Sequence, residues 1–135
     1  MTELNDLYVL IAEDDFDDAE IVQQSFIKNH GFSKVDIVQN GKELLAFLRD
    51  TGNANPDIIL TDINMPIMSG IEALKEISED IQLRLIPSFV YSTTINPIYQ
   101  QKCKELGIRG FLIKPYSIEE FDRIPDEIIS ILSEK

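Results

Sequence analysis

The chain has 135 residues, with 24 Asp plus Glu against 12 Lys plus Arg and a formal charge of −12 at pH 7. That length suits one domain with its own core and leaves no room for a second of ordinary size, so residues 1–135 are expected to form a single domain. So acidic a surface repels phosphate backbones and anionic bilayers, and neither nucleic acid nor membrane is an expected partner.

The start, "MTELNDLYVLIAEDD", lacks the basic n-region and cleavage pattern of a secretory signal, and the only cysteine, Cys103, has no internal partner. A cytoplasmic location is therefore expected. No apolar run is long enough to cross a bilayer. "LYVLIA" (7–12) is apolar almost throughout, reads as a strand, and ends at Glu13-Asp14-Asp15. Ala19, Val22 and Phe26 then recur at i, i+3 and i+7, the spacing of a helix face. "VDIV" (35–38) reads as the next strand, followed by Asn40 with Glu43 as a helix-start signal and by Leu44, Leu45 and Leu48. "DIILT" (57–61) is the third strand; Asp62 follows it, then the backbone-breaking "NMPIMSG", and Ser69 with Glu72 opens another helix. "SFVYS" (88–92) leads to Asn96-Pro97, with proline at the first helical position. "GFLIK" (110–114) precedes Ser117 with Glu120 and the last helix, in which Pro125 predicts a kink or a restart after Ile124.

Strands that are apolar throughout are what a parallel sheet covered on both faces requires. Five of them alternating with five helical stretches predict a doubly wound α/β sandwich. In such sheets ligands collect beyond the carboxyl ends of the strands. Three of those ends matter together: Glu13 and Asp14 after the first strand, Asp62 after the third, Lys114 after the fifth. Clustered carboxylates repel unless a cation sits among them, and Mg²⁺ suits an all-oxygen set that leaves room for water and a phosphoryl oxygen. Lys114 adds a positive charge and Ser92 a hydroxyl at the same rim. An Asp so placed can act as a nucleophile and form an aspartyl phosphate. Taken singly, each signal has a plainer reading. Acidic loops such as "EDDFDD" commonly cap helices, and an Asp after a strand often just starts a turn. The conjunction is what points to phosphoryl chemistry.

Together "VLIAEDD", "LTDINMPIMSG", "FVYST" and "GFLIKP" resemble the receiver domains of response regulators, the CheY-like family, over residues 7–132. That resemblance implies a flavodoxin-like sheet of strand order 2-1-3-4-5 with five helices. It implies a two-component phosphorelay in which a histidine kinase passes a phosphoryl group from its phosphohistidine to Asp62 in a Mg²⁺-dependent step. By the same likeness Glu13 and Asp14 are the acidic pair, with Asp14 the nearer metal ligand, and Asn64 offers its backbone carbonyl to the ion. Ser92 is the switch hydroxyl, Lys114 the phosphoryl-contacting lysine, and Phe111 the aromatic switch residue. The Lys114-Pro115 bond is expected to be cis. The sequence departs from the common pattern in having Ser at the switch position, a Phe without a hydroxyl, and Pro125 in the last helix.

A stand-alone receiver that switches protein partners is the leading reading, phosphoryl-accepting and not an enzyme beyond releasing its own phosphoryl group. A relay intermediate would add a histidine phosphotransfer protein as second partner. A phosphatase of the haloacid-dehalogenase type also uses an aspartate and Mg²⁺, but it needs an acid where this chain has Asn64. A passive scaffold is the remaining alternative. His30, Cys103, Met65 and Met68 are expected to be structural: a helix-end histidine, a half-buried thiol and two packing residues in a loop.

Overall fold

β-branched and leucine-rich runs form the centre of the molecule because they can bury both faces of an extended backbone. The computed structural model describes residues 5–94 and 96–134. In chain order it has β1 (Leu7–Ala12), α1 (Phe16–Lys28), β2 (Phe32–Val38), α2 (Gly41–Arg49), β3 (Ile58–Asp62) and α3 (Gly70–Ser78). A single 3₁₀ turn (Leu83–Leu85) precedes β4 (Ser88–Ser92), α4 (Pro97–Glu105), β5 (Gly110–Ile113), α5 (Ile118–Phe121) and α6 (Arg123–Ser133). The strands are all parallel in the order β2-β1-β3-β4-β5. The doubly wound architecture is as the sequence predicts.

Side chains alternate across the sheet with a period of two. Leu10, Ala12, Ile59 and Val90 pack on one face against α2, α3 and Cys103 of α4. Val9, Ile11, Ile58, Leu60, Phe89 and Leu112 pack on the other, against Val22 and Phe26 of α1, Phe121 of α5 and Ile124 and Ile128 of α6. Each of the Val, Leu, Ile and Phe side chains among them, fully buried, contributes about 1.5–3 kcal/mol. Continuing the second series past the apolar residues gives Glu13 after Ile11, Asp62 after Leu60, Tyr91 after Phe89 and Lys114 after Leu112. The face that holds the core beside α1 thus becomes, one step further, a charged rim.

The caps read from sequence form. The Asn40 side chain accepts from the Glu43 N–H, Asn96 from Ile98 and Ser117 from Glu120, and Ser69 with Glu72 makes a complete capping box. The last helical region is broken at Asp122, where α5 ends and α6 begins. Pro125 falls in the first turn of α6, where its missing N–H is one of the donors a helix start leaves unpaired anyway. The restart therefore lies just before Ile124, not after it. Ser25 donates to Asp122 at 2.9 Å and Lys28 pairs with it at 3.2 Å, tying this joint to α1.

One expectation is corrected. The Lys114–Pro115 peptide is trans, as are all peptide bonds among the described residues. Trans is the lower-energy isomer before proline by about 0.5–1 kcal/mol. The trans chain already positions Lys114, whose N–H donates to the Ser92 carbonyl at 2.8 Å. Cys103 is fully buried, not half-buried, and His30 lies exposed in the turn beyond α1. Met65 and Met68 pack partly buried against the α2/α3 side, as expected of loop packing.

Candidate functional site

Asp62 is the last residue of β3, a strand buried along its whole length. Its Oδ1 accepts from the Ile63 N–H at 2.7 Å. Beyond it the "NMPIMSG" segment turns away through Ile67, which takes a positive φ of 69°. The segment is pinned at two points: Gly70 N–H donates to the Ile63 carbonyl and Gly41 N–H to the Met68 carbonyl, each at 2.9 Å. A Cβ at Gly70 would lie 2.0 Å from the Asp62 carbonyl oxygen, so only glycine lets α3 begin this close to the end of β3.

Lys114 is buried with its ammonium among carboxylates. Its Nζ donates to Glu13 Oε1 at 2.8 Å, to Asp62 Oδ2 at 3.0 Å and to Asp18 Oδ2 at 3.1 Å, and lies 4.8 Å from the centre of the Tyr91 ring. Burial works against the Lys114 charge, but the hydrogen bonds and negative charges of Glu13 and Asp62 outweigh it and hold its pKa above the ordinary value. The buried Tyr91 hydroxyl donates to Glu13 Oε1 at 2.5 Å, while Glu13 Oε2 accepts from the Asp15 N–H at 3.0 Å. Burial, then the charge of Glu13, raises the Tyr91 pKa. Burial also raises that of Asp62; Lys114 pulls it back and Glu13 pushes it up again.

Glu13, Asp14 and Asp62 each bring a carboxylate oxygen to within 4.8 Å of the other two. Asp14 is exposed and Asp15 is occupied elsewhere, its side chain capping α1 through the Asp18 N–H at 2.9 Å. That division of labour assigns Asp14, not Asp15, to the cluster. The donors are all oxygens, with no imidazole or thiolate among them, which is the chemistry that suits a hard divalent cation such as Mg²⁺. Three carboxylates share the Lys114 ammonium and a fourth, Asp14, lies beside two of them, so an added divalent charge relieves repulsion. The exposed Asn64 stands in the loop two residues past Asp62. Glu13 and Asp14 open onto a groove of about 410 Å³ between α1 and the end of β2, lined also by Phe16, Ala19 and Ile37.

Ser92 and Phe111 belong to the opposite series. Ser92 is buried and follows Val90, and its Oγ accepts a long bond of 3.4 Å from the Thr94 N–H instead of bonding Asp62. Phe111 is half-buried against the cluster that contains Cys103. The structure therefore brings Glu13, Asp14, Asp62 and Lys114 into one site, and sets Ser92 at its edge with Phe111 behind. Two participants escaped the sequence reading. Asp18 stands three residues after its helix cap, a spacing that aims a first-turn side chain back over the strand end; Tyr91 adjoins Ser92 and shares the face of Asp62 by period two.

An acidic cluster around a buried lysine, at the carboxyl ends of a parallel sheet ordered 2-1-3-4-5, defines the CheY-like class of α/β signalling domain. The chain belongs to the response regulator receiver domain family, whose family model matches residues 9–124. Among its relatives, a two-component response regulator of Oryza sativa subsp. indica is 30% identical, over 90% of this chain and 90% of that protein. A probable methanogenesis regulatory protein of Methanothrix harundinacea is 28% identical, over 89% of this chain and 79% of its own length. The solved structure of a phosphorylated cyanobacterial phytochrome response regulator superposes with a TM-score of 0.84 at 30% identity, covering 94% of each chain. A Mn²⁺-bound response regulator follows with a TM-score of 0.83 at 26% identity, covering 96% of each. Like these, the chain is a two-component receiver, a fold generally used for signalling. Among the described residues no helix is long and apolar enough to cross a membrane.

Proposed function

We propose that the chain accepts a phosphoryl group on Asp62 from a phosphohistidine of a partner histidine kinase and uses the new charge to change which proteins it binds. The observation that carries this reading is the Asp62 carboxylate, held at the open end of a buried strand with the Lys114 ammonium 3.0 Å away. In the transfer the imidazole N–P bond breaks and an Asp62 Oδ–P bond forms; the imidazole keeps the bonding pair and takes up a proton. Glu13, Asp14, Asp62 and the Asn64 carbonyl would hold Mg²⁺. When bound, the ion supplies positive charge to the phosphoryl oxygens.

The chain's own residues do the rest. Lys114 stabilises charge on the transferred group, and Tyr91 fixes the rotamer of Glu13 so that Lys114 stays aimed at Asp62. The added phosphoryl carries a charge of about −2 and three acceptor oxygens at pH 7. It offers the Ser92 hydroxyl a better partner than the 3.4 Å contact to Thr94. Movement of Ser92 toward it vacates space beside Phe111, repacking the surface between α4 and β5. Support comes also from the structural neighbours, one a phosphorylated regulator, one Mn²⁺-bound and one the receiver of a signal transduction histidine kinase.

The chain would then act as a phosphorylation switch, with Glu13, Asp14, Asp62 and Lys114 as its chemical site. The test is incubation with Mg²⁺ and acetyl phosphate followed by intact mass spectrometry. One hydroxylamine-labile phosphoryl group is expected, abolished by Asp62→Asn. A wild-type protein that stays unlabelled refutes the reading, and labelling that survives Asp62→Asn refutes the residue assignment.

A further inference from the structure

An ammonium has three N–H donors, and Lys114 has spent all three: on Glu13 at 2.8 Å, Asp62 at 3.0 Å and Asp18 at 3.1 Å. It therefore has nothing free to offer an arriving phosphoryl oxygen, and one of the three bonds must be given up. The contacts differ in how readily they break. The Glu13 side chain is 0% exposed, and its Oε1 is held from the other side by the Tyr91 hydroxyl. Releasing it would strand a buried charge. Asp62 is the acceptor itself. The Asp18 side chain is 31% exposed, makes the longest of the three bonds and can be rehydrated at once.

We propose that Asp18, a first-turn residue of α1 outside the acidic pair, is the contact that Lys114 surrenders to the incoming phosphoryl group, and so sets the threshold for leaving the resting state. The inference rests on the acceptor reading of Asp62 and deepens it by naming a positioning residue that acts through Lys114. Asp18 opposes the phosphorylated state twice over. It competes for the third N–H, and its carboxylate repels the charge of about −2 that the transferred group brings. Removing it should favour a phosphoryl group at Asp62 while doing nothing to help a cation bind alone.

The test is the half-saturating concentration of beryllofluoride, an aspartyl-phosphate mimic, read at saturating Mg²⁺ from the backbone amide NMR signals around Ile63 and Thr94. Mg²⁺ affinity without the mimic is measured alongside. Asp18→Asn and Asp18→Ala should each bind the mimic about twofold to fivefold more tightly than wild type, the range expected for a partly exposed ion pair. Their affinity for Mg²⁺ alone should not rise. Asp18→Glu, which keeps the carboxylate, should return toward wild type. Asp17→Asn removes the same charge from the same turn at an exposed position and should leave mimic binding unchanged. All four variants retain the helix cap, because Asp15 accepts from the backbone N–H of residue 18 and not from its side chain. Unchanged mimic affinity in Asp18→Asn overturns the inference, as does an equal gain in Asp17→Asn, which would reduce the effect to net charge. Failure of wild type and every variant to bind the mimic would overturn the acceptor reading itself.

Discussion

Replacing Gly70 by alanine tests whether the end of β3 and the start of α3 are packed as tightly as the contacts require. An added Cβ would stand 2.0 Å from the Asp62 carbonyl oxygen and 3.1 Å from both the Asp62 carbonyl carbon and Thr61 Oγ1. A carbon and a carbonyl oxygen normally approach no closer than about 3.3 Å. Relief therefore takes a displacement of more than about 1 Å, and the atom in the way is rigid backbone. Neither side yields freely: the Asp62 carbonyl also accepts from Thr61 Oγ1 at 2.8 Å, and the Gly70 N–H is bonded to Ile63. Overpacking of this kind costs about 1–3 kcal/mol. At this chain length each kcal/mol lowers Tm by about 3–5 °C. Thermal unfolding of Gly70→Ala should show that loss, and acetyl phosphate labelling should slow because the strain falls on the backbone of Asp62, the proposed acceptor. Gly52→Ala is the control: its nearest neighbour would be the flexible Asp50 carboxylate at 3.2 Å, so the change should stay within about 1 kcal/mol. A wild-type Tm for Gly70→Ala refutes the packing argument. A lowered Tm with unchanged labelling refutes its link to the site.

Tyr91→Phe keeps the ring and deletes the bond to Glu13, so urea unfolding should show a loss of about 1.5–3 kcal/mol, the value of a buried hydrogen bond to a charged group. Ser69→Ala removes the capping box of α3 and should cost about 1 kcal/mol by the same assay. Asp122 has a lowered pKa, through its bond from Ser25 and then through Lys28. Its stabilising contribution is complete above the ordinary value of 3.8 and disappears as pH falls below that value through the depressed folded pKa. Asp122→Ala should therefore reduce stability at neutral pH and narrow its gap to wild type in acid, which urea midpoints at several pH values would record.

The sheet was legible because its central strands are buried on both faces and so read as unbroken apolar runs. In β2 only 35–38 carries the apolar signature, because an edge strand tolerates the polar Ser33 and Lys34 that precede Val35 in Phe32–Val38. Helix starts were legible from local chemistry: Asn40, Ser69, Asn96 and Ser117 all cap where expected. Pro125 signalled a break, but its position at Asp122 depends on bonds to Ser25 and Lys28, nearly a hundred residues away in the chain. The same reason hid Asp18 and Tyr91. Spacing within α1 and β4 can direct both side chains toward the strand ends, but their contacts are set by where Lys114 ends, and that is not local information. The trans Lys114–Pro115 bond departs from what family likeness implied, since local sequence permits either isomer.

A parallel sheet that does not close on itself keeps two strands with one unpaired margin each, here β2 and β5. Such margins invite another chain to add a strand and start an aggregate. On β2 the exposed Lys34 lies 3.9 Å from Asp36 and 4.5 Å from the centre of the Tyr8 ring, so a ribbon docking there would have to dehydrate a cation and its counter-charge. β5 protects itself by brevity, offering four residues before Lys114 is drawn inward and Pro115 ends the ladder. The residue whose ammonium pairs with Glu13 and Asp62 thus also marks where the free margin of β5 runs out.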